Sequence, residues 1–483
     1  MSAAVVMWLA LAIPTADATG WTDAKKDAVA AVDAKAELIG SLGRQVWEFA
    51  ELAFQEHKSS KLLADTLEAE GFRVTRAAAG MPTAFVAEFG SGKPVVAILA
   101  EYDALPGLSQ AAVPRQEPLP TSRAGHGCGH NLFGASSVGA ALAVKQAMIN
   151  RKLPGTVRLY GCPAEEGGSG KVYLVREGAF KDVDVAFHWH PSSGNSAAMK
   201  TSLAVIRFRV RFQGKAAHAA GSPQKGRSAL DGVELMNVGV NYLREHVQSD
   251  ARIHYVITNG GGRPNIVPEH AEVWYYIRAP KMTQAQEIFE RVKKIAQGAA
   301  LMSETQQELH LVTGSYEILE NEPLALLMDG NLRLIGAPSF SPEEKQFAAE
   351  LRKNLGLSDA RDGSEGPLDT SIARFAPDIT GGSTDVGDVS WVIPTAGLTV
   401  ATSARGIPGH SWSTVACSGS PIGKRGSIVA AKVLATTMLD VLEKPETVAA
   451  ARTDFVRRKG DMVYKVMLPA GPAPERIDDI AQE

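Results

Sequence analysis

The run Val95-Val96-Ala97-Ile98-Leu99-Ala100, passing directly into Glu101-Tyr102-Asp103-Ala104-Leu105-Pro106-Gly107, constrains the fold more than any other stretch of the chain. A strand with one face in water alternates polar and apolar side chains, whereas a strand apolar at every position is covered on both faces. Cover on both faces belongs to a parallel sheet held between helices, and ligands bind such sheets beyond the carboxyl ends of the strands. The polar residues and proline after Ala100 mark one such end.

The flanking pattern agrees. Residues 21–67 read as helix, as do 132–150, while 156–161 and 183–187 read as strands. That alternation predicts an α/β domain with a mixed, largely parallel sheet flanked by helices. From residue 204 the texture changes. Ile206, Phe208, Val210 and Phe212 alternate with Arg207, Arg209 and Arg211, which predicts a strand buried on one face only. Helix, strand, strand, helix and strand follow, the β-α-β-β-α-β order of a ferredoxin-like module. The expected organisation is residues 1–20 as leader or extension, 21–202 and 317–445 as the first domain, 203–316 as an inserted α+β domain, and 446–483 as a peripheral tail. Residues 389–400 and 423–442 read as a strand and helix of the first domain, and 341–382 as a helix followed by a long loop.

A length of 483 residues suits more than one core. A net charge of -3, with no basic run, excludes nucleic acid as a partner class. Three cysteines, Cys128, Cys162 and Cys417, argue against a disulfide framework and leave room for a thiolate ligand or nucleophile. At the N-terminus the apolar run Ala4–Ile13, the break at Pro14 and the small residues Ala16-Asp17-Ala18 have the shape of a secretory signal, although the usual positive start is missing. The expectation is a periplasmic or secreted protein, with a cytoplasmic location as the alternative. The run is too short to span a membrane.

Four motifs carry chemistry. In Gly125-His126-Gly127-Cys128-Gly129-His130-Asn131, potential ligands alternate with glycine, so that Cys128 and His130 converge if the segment is extended; a glycine-rich turn before a helix has the same composition. Pro163-Ala164-Glu165-Glu166-Gly167-Gly168 offers two carboxylates at a strand end, suited to a ligand and a general base, or simply to a solvated acidic turn. Alternation puts His188 and His190 of Phe187-His188-Trp189-His190-Pro191 on one side, and Gly409-His410-Ser411-Trp412 adds a histidine in a loop. Alone, each has a bland reading. Together, Cys128, His130, Glu166, His190 and His410 all border strands of one sheet, and thiolate, imidazole and carboxylate donors suit Zn²⁺ or Mn²⁺ better than Ca²⁺ or Mg²⁺.

These motifs, with Ala100–Leu105, Tyr160–Lys171 and Ser383–Trp391, resemble the aminoacylase and glutamate carboxypeptidase family of metallopeptidases, in its auxin-conjugate amidohydrolase branch. The resemblance runs from about Thr22 to Leu442. It implies a zinc-peptidase-like fold and a hydrolase of amide bonds in N-acyl amino acids such as p-aminobenzoyl-glutamate or related glutamate and aspartate conjugates. Auxin-aspartate or general N-acyl-amino-acid hydrolysis is the near alternative, and a catalytically silent metal-binding protein the distant one. It further implies two metal ions, Zn or Mn, bridged by Cys128 and completed by His130, Glu166, His190 and His410; Glu165 as general base; and Asp103 behind the ligands. The inserted domain would dimerise, into a homodimer or with a homologous second subunit. His218, in Gly214–Ala219, would reach a neighbouring subunit's site, and Asn265 and Arg278 would hold the substrate carboxylate. The wider family bridges its metals with Asp where this chain has Cys128, and has a metal-binding His where this chain has Glu101, so Glu101 is left out of the implied ligand set.

Overall fold

The structure is a computed structural model describing residues 20–357, 366–379 and 381–476; the leader reading of residues 1–20 falls almost wholly outside them, as does part of the 341–382 segment. A six-stranded sheet runs in the order Arg73–Arg76, Phe85–Ser91, Gly155–Cys162, Val95–Glu101, Val185–Ser192, Thr395–Ala401. The last four of these are mutually parallel, and the first two are added antiparallel at one edge. Val95–Glu101 is buried at every position, as its unbroken apolar run requires. Its parallel neighbours bring Cys162 and, through Val185–Ser192, His190 to the same edge.

One face of this sheet is covered chiefly by His130–Arg151, with Asp23–Ala34 and Pro421–Glu443 packed on it. His130–Arg151 is long and apolar enough to cross a membrane, but it is enclosed by the sheet and by other helices along most of its length, which makes it a core helix. The other face carries a second apolar cluster that includes Leu99, Tyr160, Tyr173 and Val389.

The second sheet has four antiparallel strands ordered Arg252–Asn259, His270–Ala279, Ala204–Gln213, Gln306–Ser315. Helices Ala229–Leu243 and Met282–Ser303 cover one face, giving the expected β-α-β-β-α-β order.

Three expectations need correction. The helical stretch from Trp21 is three helices, Asp23–Ala34, Ala36–Phe49 and His57–Ala69, and the second stops where Ala50 turns left-handed at φ 43°. Residues 389–400 are not one strand: Val386–Ser390 is a short helix, and Pro394 precedes strand Thr395–Ala401. Residues 444–476 are not peripheral. Helix Glu446–Lys459 buries Phe455, Tyr464 donates to Asp388 Oδ1 at 2.8 Å, and Met467 pairs with Gly314.

Candidate active site

The carboxyl edge of the large sheet gathers the site. Glu101 and Asp103 leave strand Val95–Glu101, Glu165 and Glu166 follow Gly155–Cys162, and His190 lies near the end of Val185–Ser192. Cys128 and His130 arrive on a tight loop. Gly129 is left-handed at φ 81°, and a Cβ there would lie 2.8 Å from Pro191, so only glycine fits. His130 opens the buried helix, and His410, itself left-handed, anchors its N–H on Gly127 O at 3.0 Å.

Three sets of donor atoms, each mutually within 4.8 Å, result: Cys128, His130 and His190; Cys128, Glu166 and His410; Glu101, His130 and Glu165. Cys128 belongs to two of them. Within the sets, Cys128 Sγ lies 3.3 Å from His190 Nε2, Glu101 Oε2 3.1 Å from His130 Nε2, and Glu166 Oε2 3.5 Å from His410 Nε2. Bonds of about 2.0–2.3 Å from one cation to N, O or S leave neighbouring donors roughly 3–3.5 Å apart, so these separations match edges of a coordination shell.

Hydrogen bonds aim the imidazoles. His130 Nδ1 pairs with Asp103 Oδ1 at 2.8 Å, while Asp103 Oδ2 accepts from Glu166 N at 2.9 Å. His190 Nδ1 pairs with Pro191 O at 2.7 Å. With Nδ1 engaged in each ring, Nε2 faces the site, the arrangement metal-binding histidines adopt. Glu166 Oε1 is buried with no hydrogen-bond partner, and Glu101 Oε2 and His130 Nε2, although 3.1 Å apart, are buried without a hydrogen bond of good geometry to each other or to another group. Such orphaned atoms are costly unless a ligand satisfies them.

The electrostatics point the same way. Burial, then Glu101 and Glu166, push the Glu165 carboxyl well above its usual range, and burial lifts Glu166 to about 7. Burial and Glu166 also push the Cys128 thiol up, the reverse of what a free cysteine nucleophile needs. Burial holds His190 down at about 4, neutral and able to donate a lone pair. Burial opposes a charge on His130, but Cys128, Glu101 and Asp103 outweigh it and hold that pKa high. Excess negative charge at this spot is what a cation would neutralise, so the residues present fit divalent metal.

A cavity of about 470 Å³ opens from the cluster; its wall includes Glu165, Met199, Arg207, Tyr276, Arg278, Ser383 and His410. Arg278 Nη1 donates to Ser383 Oγ at 2.7 Å. Of the sequence candidates, Cys128, His130, Glu165, Glu166, His190, His410, Asp103 and Arg278 meet here. His218 and Asn265 do not: both are exposed on the inserted module, where His218 pairs with Ile266, and neither lines the cavity.

Two histidines from the motifs stand apart from the donor sets. His126 is a core residue with Nε2 at 2.9 Å from Val46 O. His188 borders the cavity against Gly397, where a Cβ would come within 2.1 Å of its Nε2. Sequence reasoning missed Lys171 and Asp385. Lys171 is wholly buried, with Nζ at 2.6 Å from both Glu101 Oε1 and Asp385 Oδ1, and burial of Glu101 is outweighed chiefly by Lys171, which keeps it ionised. Both sat inside segments already singled out, Tyr160–Lys171 and Ser383–Trp391, which was the available signal.

This fold and donor cluster define a metallopeptidase-type hydrolase, and the comparisons name the family. Residues 204–302 match the peptidase dimerisation domain model. The chain is 44% identical to one of the two kinds of subunit of the p-aminobenzoyl-glutamate hydrolase of Escherichia coli, over 92% of this chain and 98% of that protein. With the other kind of subunit of that hydrolase it shares 29% identity, over 46% of this chain and 53% of that protein. It is 32% identical to Xaa-Arg dipeptidase of Mus musculus, over 89% and 92% respectively. A dinuclear metal-binding peptidase of the M20 family from Bacillus subtilis shares the fold, with TM-score 0.55 and 20% identity over 85% of this chain and 99% of that one. The chain belongs to the M20 peptidase family and is a hydrolase of amide C–N bonds.

Proposed function

We propose that the chain hydrolyses the amide bond of an N-acyl amino acid, p-aminobenzoyl-glutamate or a similar aryl- or acyl-conjugate of glutamate or aspartate. The observation that carries this reading is the set of orphaned donor atoms on Glu101, His130 and Glu166, beside a carboxylate, Glu165, at the mouth of a cavity of about 470 Å³, a size suited to a small organic substrate. Identity to the Escherichia coli hydrolase supports the substrate class.

Cys128, His130, Glu166, His190 and His410 would hold two divalent cations, Zn or Mn, with Cys128 shared between them. When bound, such cations would supply Lewis-acid chemistry toward a water and the scissile carbonyl. Glu165 accepts the proton of the attacking water and returns it to the leaving amine; burial, then Glu101 and Glu166, push its carboxyl up and make it a stronger base when ionised. Asp103 keeps His130 in the tautomer that presents Nε2. Arg278, without a carboxylate partner among the described residues, clamps the carboxylate next to the scissile bond. His218 and Asn265, exposed in their own chain, serve the site of a second subunit brought against the inserted module, either a copy of this chain or a homologue. The Escherichia coli relative is named as one of two kinds of subunit, which favours the homologue. Export rests on the apolar run Ala4–Ile13.

The test is Glu165→Gln. Metal content should be unchanged, and kcat on p-aminobenzoyl-glutamate should fall by about 10²–10⁴-fold. Retained turnover would remove Glu165 from the base role.

A further inference from the structure

Strand Ala204–Gln213 carries three arginines at alternate positions, and they are not equivalent. Arg209 Nη1 and Arg211 Nε donate to Glu272 at 2.9 and 2.8 Å, so their charges are matched. Arg207 is 5% exposed, and its partners are neutral: Nη1 donates to Ser169 Oγ and Thr313 Oγ1, both at 3.0 Å. Its Nε has no acceptor, and among the described residues no carboxylate reaches ion-pair distance. A buried cation without a counter-ion is expensive, and this one borders the cavity.

Arg278 shares that condition. Among the described residues, the only side-chain hydrogen bond of its guanidinium is to the Ser383 hydroxyl. Strand register sets Arg207 opposite Tyr276 and Arg278 opposite Val205, which places Arg207, Tyr276 and Arg278 on one face of the sheet. Both guanidinium carbons lie near one aromatic ring, at 5.4 and 5.9 Å from the centroid of Tyr276. Burial lowers the pKa of Arg278, and repulsion from Arg207 adds to it. Among the described residues no carboxylate of the cavity pairs with either guanidinium, although Glu165 acts on Arg278 through space. Glu101 is tied to Lys171 at 2.6 Å, Glu320 sits 3.9 Å from Arg458, and Glu165 and Glu166 belong to the reacting end. Ser169, which holds Arg207, ends the same loop that presents Glu165.

We infer that Arg207 and Arg278 form a two-cation receptor for a dicarboxylate, Arg278 taking the carboxylate adjacent to the scissile amide and Arg207 the side-chain carboxylate. Arg207 is then the residue that selects acidic over neutral or basic amino acids in the leaving half of the substrate. The inference rests on the amidohydrolase reading above and adds to it the specificity element. Guanidinium suits the task because it stays charged when buried and donates to carboxylate in a fixed fork.

The experiment compares kcat/KM for p-aminobenzoyl-glutamate, p-aminobenzoyl-glutamine and p-aminobenzoyl-arginine in the metal-loaded wild type, Arg207→Gln, Arg207→Lys and Arg209→Gln. Calorimetric titration with free glutamate and free glutamine accompanies it. The wild type should prefer the glutamate conjugate over its neutral isostere by about 10²-fold or more, as buried charge-assisted pairing implies. Arg207→Gln should reduce that preference at least tenfold, chiefly through KM for the glutamate conjugate. Arg207→Lys should keep part of it, and Arg209→Gln should keep all of it. A wild type that hydrolyses the glutamine or arginine conjugate as well as the glutamate conjugate overturns the inference, and this outcome needs no variant to fold. An unchanged preference in a folded Arg207→Gln also overturns it. If no conjugate is hydrolysed, the amidohydrolase reading fails by itself, and tighter binding of glutamate than glutamine still decides the receptor.

Discussion

Lys171 and Arg209 both hold carboxylates, Lys171 beyond the carboxyl edge of the six-stranded sheet and Arg209 on an interior strand of the four-stranded one, and the two settings differ in degree of burial. At the carboxyl edge of the six-stranded sheet, Lys171 bridges Glu101 and Asp385, and all three side chains are at most 1% exposed. On the four-stranded sheet, Arg209 and Arg211 share Glu272 in a partly open setting: Arg209 and Glu272 are 8% and 12% exposed, and Arg211 30%. A pair that keeps one partner in contact with solvent, as Arg211 does here, contributes modestly and loses less when broken. A buried ionic network contributes little net stability against an apolar replacement, yet it is severely destabilised when one partner is lost. Fixing Glu101 by Lys171 holds its free Oε2 3.1 Å from His130 Nε2.

The largest effect that follows is on Lys171→Met. It strands two buried carboxylates and should cost about 3–5 kcal/mol in denaturant unfolding at neutral pH. The sign with pH is definite. Without Lys171, both carboxyls have folded pKa values above their unfolded ones, so the loss is greatest at high pH and shrinks as pH falls and they take up protons. A cost under about 1 kcal/mol would put Lys171 in the class of the more open pair and erase the contrast. The smaller effect is on Glu272→Gln, expected at about 1 kcal/mol at neutral pH. Burial pushes Glu272 up, but hydrogen bonds from Thr258, Arg211 and Arg209 outweigh it and hold the carboxyl below its usual range. A depressed folded pKa means the pair's stability is present above the unfolded value of about 4.3 and is lost as pH falls through the folded value. The difference between Glu272→Gln and wild type should therefore vanish in acid unfolding curves, and a cost matching that of Lys171→Met would break the comparison.

Much of this was legible in the sequence because chemistry sits at strand ends. The period-two and period-3.6 patterns located the sheets; Glu166 and His190 stand where apolar strands end, whereas Cys128, His130 and His410 do not border strands of the large sheet but lie in loops and at the start of a helix, and were found through their motifs taken together. What was illegible depends on partners far apart in the chain. Lys171 and Asp385 form an ion pair across 214 positions, and nothing in local pattern announces it. Arg207 looks like Arg209 and Arg211 until Glu272 is seen to serve only two of the three. Alternation also misled where glycine made the chain turn: in Gly125–Asn131 it would set His126 beside Cys128, whereas His126 folds away to the Val46 carbonyl. Residues 389–400 read as one strand because a short buried helix and a strand share the same apolar composition.

The central claim is that Cys128, His130, Glu166, His190 and His410 form one donor cluster built for paired cations. Elemental analysis of the purified protein, dialysed against metal-free buffer and assayed in parallel, tests it most directly. Two divalent ions per active chain are expected, with loss of metal in Cys128→Ala and His190→Ala and retention in Glu165→Gln. Full amidohydrolase activity in wild-type protein carrying fewer than one ion per chain would contradict the account.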